Sequence, residues 1–208
     1  MRLSLLCLFL HTTVLAAGQP PAAKDAKAAT LAPGNNLPGP IHPYNVTGPN
    51  KGRYHSLLAE HGLDPIVIVF ARNLESEDPN GPVMELLTQL DLAIEKNPKA
   101  RLAVMAVSLS DTLPEVVGAD VKSDERRRDI AGKLEALAAA RSLKYVVLTL
   151  AGKDDVEKYH LDEKADATVV LANKYRILSV YALNKDQLKA KSGDILAEVA
   201  NKIGAKQK

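Results

Sequence analysis

The sequence has very little cysteine. Cys7 is the only one among the 208 residues, and it lies in an apolar stretch close to the N terminus. No intramolecular disulfide framework is therefore possible. If this N-terminal stretch is removed, the remaining chain has no thiol, and chemistry that needs a thiolate nucleophile is excluded for it.

An excess of charge of one sign and long hydrophobic runs are also missing. The formal net charge is +2, with 27 basic and 25 acidic residues. Nucleic-acid and polybasic membrane surfaces need clustered positive charge, so this balance argues against both roles. The apolar runs are shorter than the about 18 residues of a membrane helix. We therefore predict no nucleic-acid partner and no membrane span after the N-terminal segment.

Residues 1–18 have the pattern of a secretory signal peptide. Arg2 provides the positive start, residues 3–10 form a short apolar core, and residues 14–16 are small or aliphatic. This order is typical of a segment that a signal peptidase removes. We expect cleavage near Gly18 and export of the remaining chain to a periplasmic or extracellular location. A retained N-terminal anchor is the alternative interpretation.

The composition changes after the signal peptide. Residues 19–43 contain six of the twelve prolines, together with Ala, Gly and Asn and few large apolar residues. Such a segment buries too little surface to offset its ordering entropy, so we predict a flexible linker. Residues 44–208 then form the folded domain, which is long enough to bury one core.

Apolar runs rich in β-branched residues predict strands that are covered on both faces. These runs are residues 65–70, 102–109 and 145–150. Two further strands, 168–171 and 176–181, are separated by only four residues, and so short a connection predicts an antiparallel hairpin.

Helices are predicted between these strands. Pro82 suits the first position of one helix, and Ser123 is the predicted N-cap of the next. A short helical piece is expected around 156–159, and an amphipathic helix ends the chain. The apolar stripe of the first helix is Val83, Leu86, Leu87, Leu90 and Ile94. Parallel crossovers followed by a hairpin and a helix indicate an α/β fold with a mixed sheet and helices on both faces.

Over roughly residues 64–204 this order resembles the thioredoxin-like superfamily, in particular exported thiol–disulfide oxidoreductases and thiol peroxidases. Residues 65–72 resemble the central strand that leads into the family's active-site loop. Residues 104–111 resemble the following strand, which commonly ends near an Asp, here Asp111. Residues 156–171 resemble the approach to the hairpin. The resemblance implies a three-layer fold with a mixed central sheet and a C-terminal β-hairpin plus helix.

The residues that make this family redox-active are missing. The loop that matches the active site, residues 72–82, has no cysteine, and neither does the upstream segment 54–59. The family's proline–threonine pair is replaced by Ala167 and Thr168, so the expected cis-proline is also absent. A serine hydroxyl cannot replace the thiol, because it does not ionise or form an exchangeable bond at neutral pH. We predict no thiol–disulfide oxidoreductase or thiol peroxidase activity.

The leading functional prediction is a non-catalytic, redox-inactive module that binds an extracytoplasmic protein or peptide. The resemblance implies that the active-site loop and the loop before the hairpin face each other and form the contact surface. The candidate binding residues are Arg72, Asn73, Glu75, Glu77, Asp78, Asp166, Ala167 and Thr168. No catalytic residue and no cofactor are predicted.

Two alternatives stay open. The acidic residues of loop 75–78 offer oxygen ligands for calcium, and His42, His55 and His61 offer nitrogen ligands for copper or zinc. Neither group has the spacing of a known compact metal motif. An enzyme with non-thiol chemistry is the other alternative, although no spacing typical of a catalytic triad or a phosphate loop is present. His160 stands alone and is expected to be structural or exposed.

Overall fold

A computed structural model describes residues 31–110 and 121–204, which form an α/β structure. The strands are β1 (Tyr44–Asn45), β2 (Ile66–Arg72), β3 (Ala103–Leu109), β4 (Val147–Ala151), β5 (Ala167–Asn173) and β6 (Arg176–Leu183). The α-helices are α1 (Leu57–His61), α2 (Pro82–Lys96), α3 (Val121–Ala140), α4 (Lys153–Val156) and α5 (Lys185–Gly204). Short 3-10 turns lie at Leu74–Ser76, Pro98–Ala100 and Glu157–Tyr159.

The strands form one mixed sheet in the order β1-β4-β3-β2-β5-β6. The central strands β2, β3 and β4 are parallel, whereas β5 is antiparallel to β2 and β6 is antiparallel to β5. At the centre, Val69 is in register with Ala106 on one side and with Val169 on the other. The predicted mixed sheet and terminal hairpin with its following helix are therefore confirmed.

Side chains of β2 alternate between two cores. Val67 and Val69 belong to the core that α2, α3 and α5 cover. Ile66, Ile68 and Phe70 belong to the opposite core, together with residues of α1 and the 3-10 turn Glu157–Tyr159. Because successive strand residues point to opposite faces, a run of apolar residues is what a doubly covered strand requires. Helices cover both faces, as predicted.

The predicted starts of α3 and β4 differ from the structure by two residues or more. Helix α3 is already helical at Val121, so Ser123 lies inside the helix and cannot be its N-cap. Strand β4 begins at Val147 rather than at Tyr145. The reason for the second difference is Asp91 of α2, whose buried carboxylate accepts hydrogen bonds from the N–H groups of Tyr145 and Val146, each at 2.7 Å.

The hairpin turn is tighter than predicted. Strand β5 extends to Asn173 and β6 begins at Arg176, so the connection is the pair Lys174 and Tyr175. Both residues have positive φ, 52° and 60°, as a two-residue hairpin turn of the type that matches strand twist requires.

Part of the predicted linker is packed. The N–H of Leu37 donates to the carbonyl of Tyr175 at 2.8 Å, and the N–H of Gly34 donates to that of Ile177 at 2.8 Å. Leu37 and Ile41 are buried in the core opposite α2. The prediction of a flexible linker is thus corrected for residues 31–43, because they pair with the edge of β6 and cover one core. Residues 1–30 and Asp111 lie outside the described residues.

Helices α3 and α5 are the longest that the structure describes, with 20 residues each. No helix within residues 31–110 and 121–204 is both long enough and apolar enough to cross a membrane.

Candidate functional site

Arg72 connects the end of β2 with the turn that precedes β5. Its backbone N–H donates to the carbonyl of Asp166 at 3.0 Å. The guanidinium Nε donates to the carbonyl of Ala165 at 3.2 Å, and Nη2 donates to that of Asp162 at 3.3 Å. The two loops that the resemblance implied to be neighbours therefore lie side by side.

The loop between β2 and α2 is attached to the end of β3. Asn73 adopts a left-handed conformation with φ of 48°, which Asn tolerates better than most residues. Its N–H donates to the carbonyl of Leu109 at 3.0 Å. The following 3-10 turn buries Leu74, so the loop has a defined path up to its exposed segment.

The acidic side chains of this loop have separate partners. Glu75 Oε2 accepts a hydrogen bond of 2.6 Å from the hydroxyl of the buried Ser108. Asp78 is exposed, and its Oδ1 accepts one of 2.7 Å from the N–H of Asn80. Each carboxylate thus stabilises a different part of the loop.

Glu77 is the buried acid of the loop and pairs with Lys185 at the start of α5. The distance between Lys185 Nζ and Glu77 Oε2 is 2.8 Å, and the Glu77 side chain is only 5% exposed. The hydrogen bond to Glu77 raises the pKa of Lys185, against an opposing effect of partial burial. The N–H of Lys185 also donates to Asp166 Oδ2 at 3.0 Å. Lys185 therefore holds the two candidate loops together.

The Glu77 carboxylate lies against the N-terminus of α2. Gly81 is the N-cap residue of this helix, and a Cβ placed on Gly81 would be 2.3 Å from Glu77 Oε1. The positive end of a helix dipole stabilises a carboxylate there as it would stabilise a thiolate. In this chain the place next to the helix start holds an ion-paired acid, and residues 72–82 have no thiol.

The candidate binding residues differ in exposure. Ala167 and Thr168 pair with Ala71 and Phe70 of β2, and their side chains are buried. The side chain of Glu77 is buried as well. These three side chains pack beneath the loops, which corrects the expectation that they form part of a surface that contacts a partner. Exposed side-chain area at this place comes from the other predicted residues, Arg72, Asn73, Glu75, Asp78 and Asp166.

A cavity of about 400 Å³ opens where β2 and β3 end. Its lining residues are Arg72, Leu109, Ser110, Lys153, Val156, Glu157, His160, Leu161 and Glu163. Leu109, Ser110 and Val156 are buried, whereas the four charged or ionisable residues at positions 153, 157, 160 and 163 are exposed. The cavity lies outside the carboxyl ends of parallel strands, the place where open α/β sheets bind ligands.

Among known proteins, no family model and no curated protein matches the sequence. The structure is similar to a secreted thiol-disulfide isomerase from Corynebacterium glutamicum, with a TM-score of 0.54 and 12% identity over 88% of this chain and 96% of that one. It is also similar to a putative thiol:disulfide interchange protein DsbE from Chlorobium tepidum, with a TM-score of 0.50 and 14% identity over 82% and 99% of the two chains. The chain has a thioredoxin-like fold.

A further thioredoxin-like neighbour is BsSco, a member of the Sco family of cytochrome c oxidase assembly proteins. The TM-score is 0.50 at 15% identity, over 83% of this chain and 96% of that one. The fold that the sequence resemblance implied is confirmed by these similarities, and identities this low support the fold alone.

The thioredoxin-like domain does not assemble the predicted metal ligands. His55 Nε2 and His61 Nε2 lie 2.9 and 3.6 Å from different oxygens of Glu60, and His42 is exposed elsewhere. Within residues 31–110 and 121–204, no group of three or more His, Cys, Asp or Glu residues has an arrangement that would hold a metal ion. The structure therefore offers no support for the metal alternative.

Sequence reasoning missed most of the cavity. It identified Arg72 but treated His160 as an isolated residue and did not consider the segment 153–163, which forms much of the cavity lining. A usable signal was present, because residues that follow parallel strands meet at one edge of a sheet. Ser110 follows β3 and Lys153 follows β4 by two residues, which places both at that edge beside Arg72.

Proposed function

We propose that this chain is an exported, non-catalytic thioredoxin-like domain that binds a protein or peptide and has no thiol redox activity. The observation that carries the proposal is the cavity beside Arg72, at the carboxyl ends of β2 and β3, in a chain with no cysteine after Cys7.

The loop geometry supports a role without thiol chemistry. Loop 73–81 contains no nucleophilic thiol, and the start of α2 is occupied by the Glu77 carboxylate in its ion pair with Lys185. A thiolate at this place would need a positive environment, whereas Glu75, Glu77 and Asp78 put three acids into the loop. The chain thus has the thioredoxin-like fold, and hydrogen bonds and an ion pair hold the loop in which the redox-active proteins have their thiols.

The cavity supports a binding role. Its volume lies within the range of about 300–1,000 Å³ that is usual for ligand pockets. Buried Leu109 and Val156 provide an apolar floor, and exposed charged groups surround it. An apolar centre with a polar rim is the arrangement in which a partner side chain is desolvated while its flanks stay hydrated.

Export is the part of the proposal that rests on the N-terminal sequence. The signal peptide pattern of residues 1–18 supports it, and the Corynebacterium glutamicum neighbour is itself described as secreted. Mass spectrometry of the protein recovered from the native exported fraction tests this point. We expect an N terminus near Gln19, and recovery only in the cytosol with residues 1–18 attached would contradict it.

The binding role is tested by affinity capture from the native exported fraction, with the chain from Gln19 to Lys208 as bait. The rim variant carries Glu157→Gln, His160→Gln and Glu163→Gln. The matched control variant carries Glu95→Gln, Lys96→Gln and Lys99→Gln, three exposed residues around the C-terminal end of α2.

We expect a partner that the wild type and the control variant retain and the rim variant loses. A partner captured equally by all three proteins, or no partner from any exported fraction, would contradict binding at the cavity.

A further inference from the structure

We propose that the cavity beside Arg72 takes an aliphatic carboxylate, and specifically the C-terminal residue of a peptide with a leucine-like side chain. This inference rests on the proposed function, and it adds the chemical class of the ligand and the side chain that recognises it.

The inner part of the cavity suits an aliphatic group. Leu109 and Val156 are 6% exposed each, and the half-buried Leu161 completes the apolar lining. Burying an apolar side chain against these residues is favourable because it removes apolar surface from water. The volume of about 400 Å³ is sufficient for one or two peptide residues.

Arg72 is the group that distinguishes a carboxylate from other ligands. Its Nε and Nη2 contacts are both with carbonyl oxygens, those of Ala165 and Asp162, so neither contact neutralises the guanidinium charge. In the part of the chain that the structure describes, Nη1 has no hydrogen-bond or ion-pair partner. Because the guanidinium is positioned by the turn and is always charged, it is a pre-organised donor for a carboxylate.

The remaining charges lie at the exposed rim. Lys153 and the acids Glu157 and Glu163 are of opposite sign and are all solvent-exposed. Exposed charges are screened by water and salt, so they act less on a group buried inside the cavity than on the parts of a partner that contact the rim. Arg72 is half-buried, so its charge acts more strongly on a ligand within the cavity and favours an anionic group there.

An aliphatic carboxylate can come from a peptide C terminus or from a free carboxylic acid. Titration calorimetry with the chain from Gln19 separates these sources with three probes: the tripeptide Ala-Ala-Leu, its C-terminal amide, and 4-methylpentanoate. We expect the tripeptide acid to bind at least about tenfold more tightly than the amide, the usual effect of one charge-assisted hydrogen bond. We also expect it to bind more tightly than 4-methylpentanoate.

The possible results of the titrations distinguish the carboxylate site from the peptide as its source. Binding of 4-methylpentanoate with an affinity equal to that of the tripeptide would support the carboxylate site and overturn the peptide source. Equal affinities of acid and amide, or no binding of any probe, would overturn the proposal. The comparison of acid and amide needs no variant, so it remains valid if a substitution at Arg72 disturbs the turn.

Arg72 itself is tested by Arg72→Gln and Arg72→Lys, with Arg53→Gln as a control on an exposed arginine outside the cavity. We expect Arg72→Gln to remove the preference for acid over amide, Arg72→Lys to retain part of it, and Arg53→Gln to leave it unchanged. If Arg72→Gln keeps the full preference while its thermal unfolding matches that of the wild type, Arg72 is not the recognition group.

This test is separate from the test of the proposed function. A captured partner that depends on the rim, combined with no difference between acid and amide, would leave the binding module in place and remove the carboxylate site. Specific tripeptide binding without a captured partner would support the carboxylate site and remove only the expected partner in the exported fraction.

Discussion

Lys185 at the start of α5 and Glu77 in the loop before α2 form an ion pair with 2.8 Å between Nζ and Oε2. The carboxylate is almost fully buried against Gly81, while the ammonium is about half exposed. This contact fixes the loop that precedes α2 and shields the start of that helix. A second contact, from the N–H of Lys185 to Asp166 Oδ2, joins Lys185 to the turn before β5.

Removal of the cation leaves a buried acid without its partner. We expect Lys185→Met to lower the free energy of unfolding by about 1–2 kcal/mol, because the Glu77 carboxylate loses its charged hydrogen bond and stays largely shielded from water. Urea denaturation measures the change. Lys191→Met, which breaks an exposed pair with Asp194, is the control and should cost no more than about 0.5 kcal/mol. Equal effects of both substitutions would show that the buried pair has no special role.

A methyl group at Gly81 tests the close approach of Glu77 to the start of α2. Gly81→Ala places a Cβ 2.3 Å from Glu77 Oε1, so the carboxylate must shift from the position in which it pairs with Lys185. We expect a loss of about 1–3 kcal/mol in thermal or urea unfolding. Gly132→Ala in the exposed middle of α3 meets no atom within 4 Å and should instead stabilise by about 0.5–1 kcal/mol. A stabilising Gly81→Ala would contradict the packing of Glu77.

Asp91 sets the start of β4. Its carboxylate accepts hydrogen bonds from the N–H groups of Lys144, Tyr145 and Val146. Asp91→Ala leaves these donors without an acceptor, and we expect a loss of about 2–4 kcal/mol in urea denaturation. Asp129→Ala removes only an exposed ion pair with Lys133, so its effect should stay within about 0.5 kcal/mol. A small effect at Asp91 would mean that the strand start does not depend on this carboxylate.

The pH dependence of stability has a definite sign on the alkaline side. The hydrogen bond to Glu77 raises the pKa of Lys185, the hydrogen bond to Glu198 raises the pKa of Tyr181, and burial raises the pKa of Tyr159. A raised pKa means that the folded state holds its proton more tightly than the unfolded state. Stability is therefore fully present below about pH 10 and falls as the pH rises further.

Urea denaturation at a series of pH values from neutral to alkaline checks this expectation. Tyr159→Phe should reduce the alkaline loss of stability, because the buried phenol no longer contributes to it. A free energy of unfolding that rises above pH 10 would contradict all three assignments.

The segment before β1 is part of the folded structure. Ile41 is 2% exposed, and Ile41→Ala should lower the free energy of unfolding by about 2–4 kcal/mol because it opens a gap in the core. Leu63→Ala is the control, because Leu63 is 69% exposed and its truncation should change stability by less than about 0.5 kcal/mol. Thermal unfolding of both variants distinguishes a packed segment from a free linker.

The sequence predicted the sheet well because its strands are covered on both faces. The run 65–70 is apolar at every position, so it could be recognised as a strand covered on both faces. The short connection before Arg176 allows only an antiparallel hairpin. Pro82 marked the start of α2 correctly, since proline is compatible with the first helical position. Ser123 failed as a cap because the helix continues before it, and a local capping signal does not report this.

The packed linker and the cavity depend on contacts between distant parts of the chain. Leu37 and Ile41 are isolated apolar residues among prolines, and only the open edge of β6 and the uncovered core make them structural. The Arg72 contact with Asp162 joins residues that are 90 positions apart. Local composition and periodicity contain no information about such pairs. The contact between Arg72 and Asp162 therefore became visible only in the structure, although the strand order alone places Lys153 at the same edge of the sheet as Arg72.

We propose that this thioredoxin-like chain acts by binding at the carboxyl ends of its parallel strands. Site-specific photo-crosslinking in the native host tests it most directly, with a photoreactive phenylalanine analogue placed at His160 or, as a control, at the exposed Lys96. We expect a discrete crosslinked partner from position 160 and none from position 96. The same adducts from both positions, or a specific adduct only from position 96, would contradict the claim.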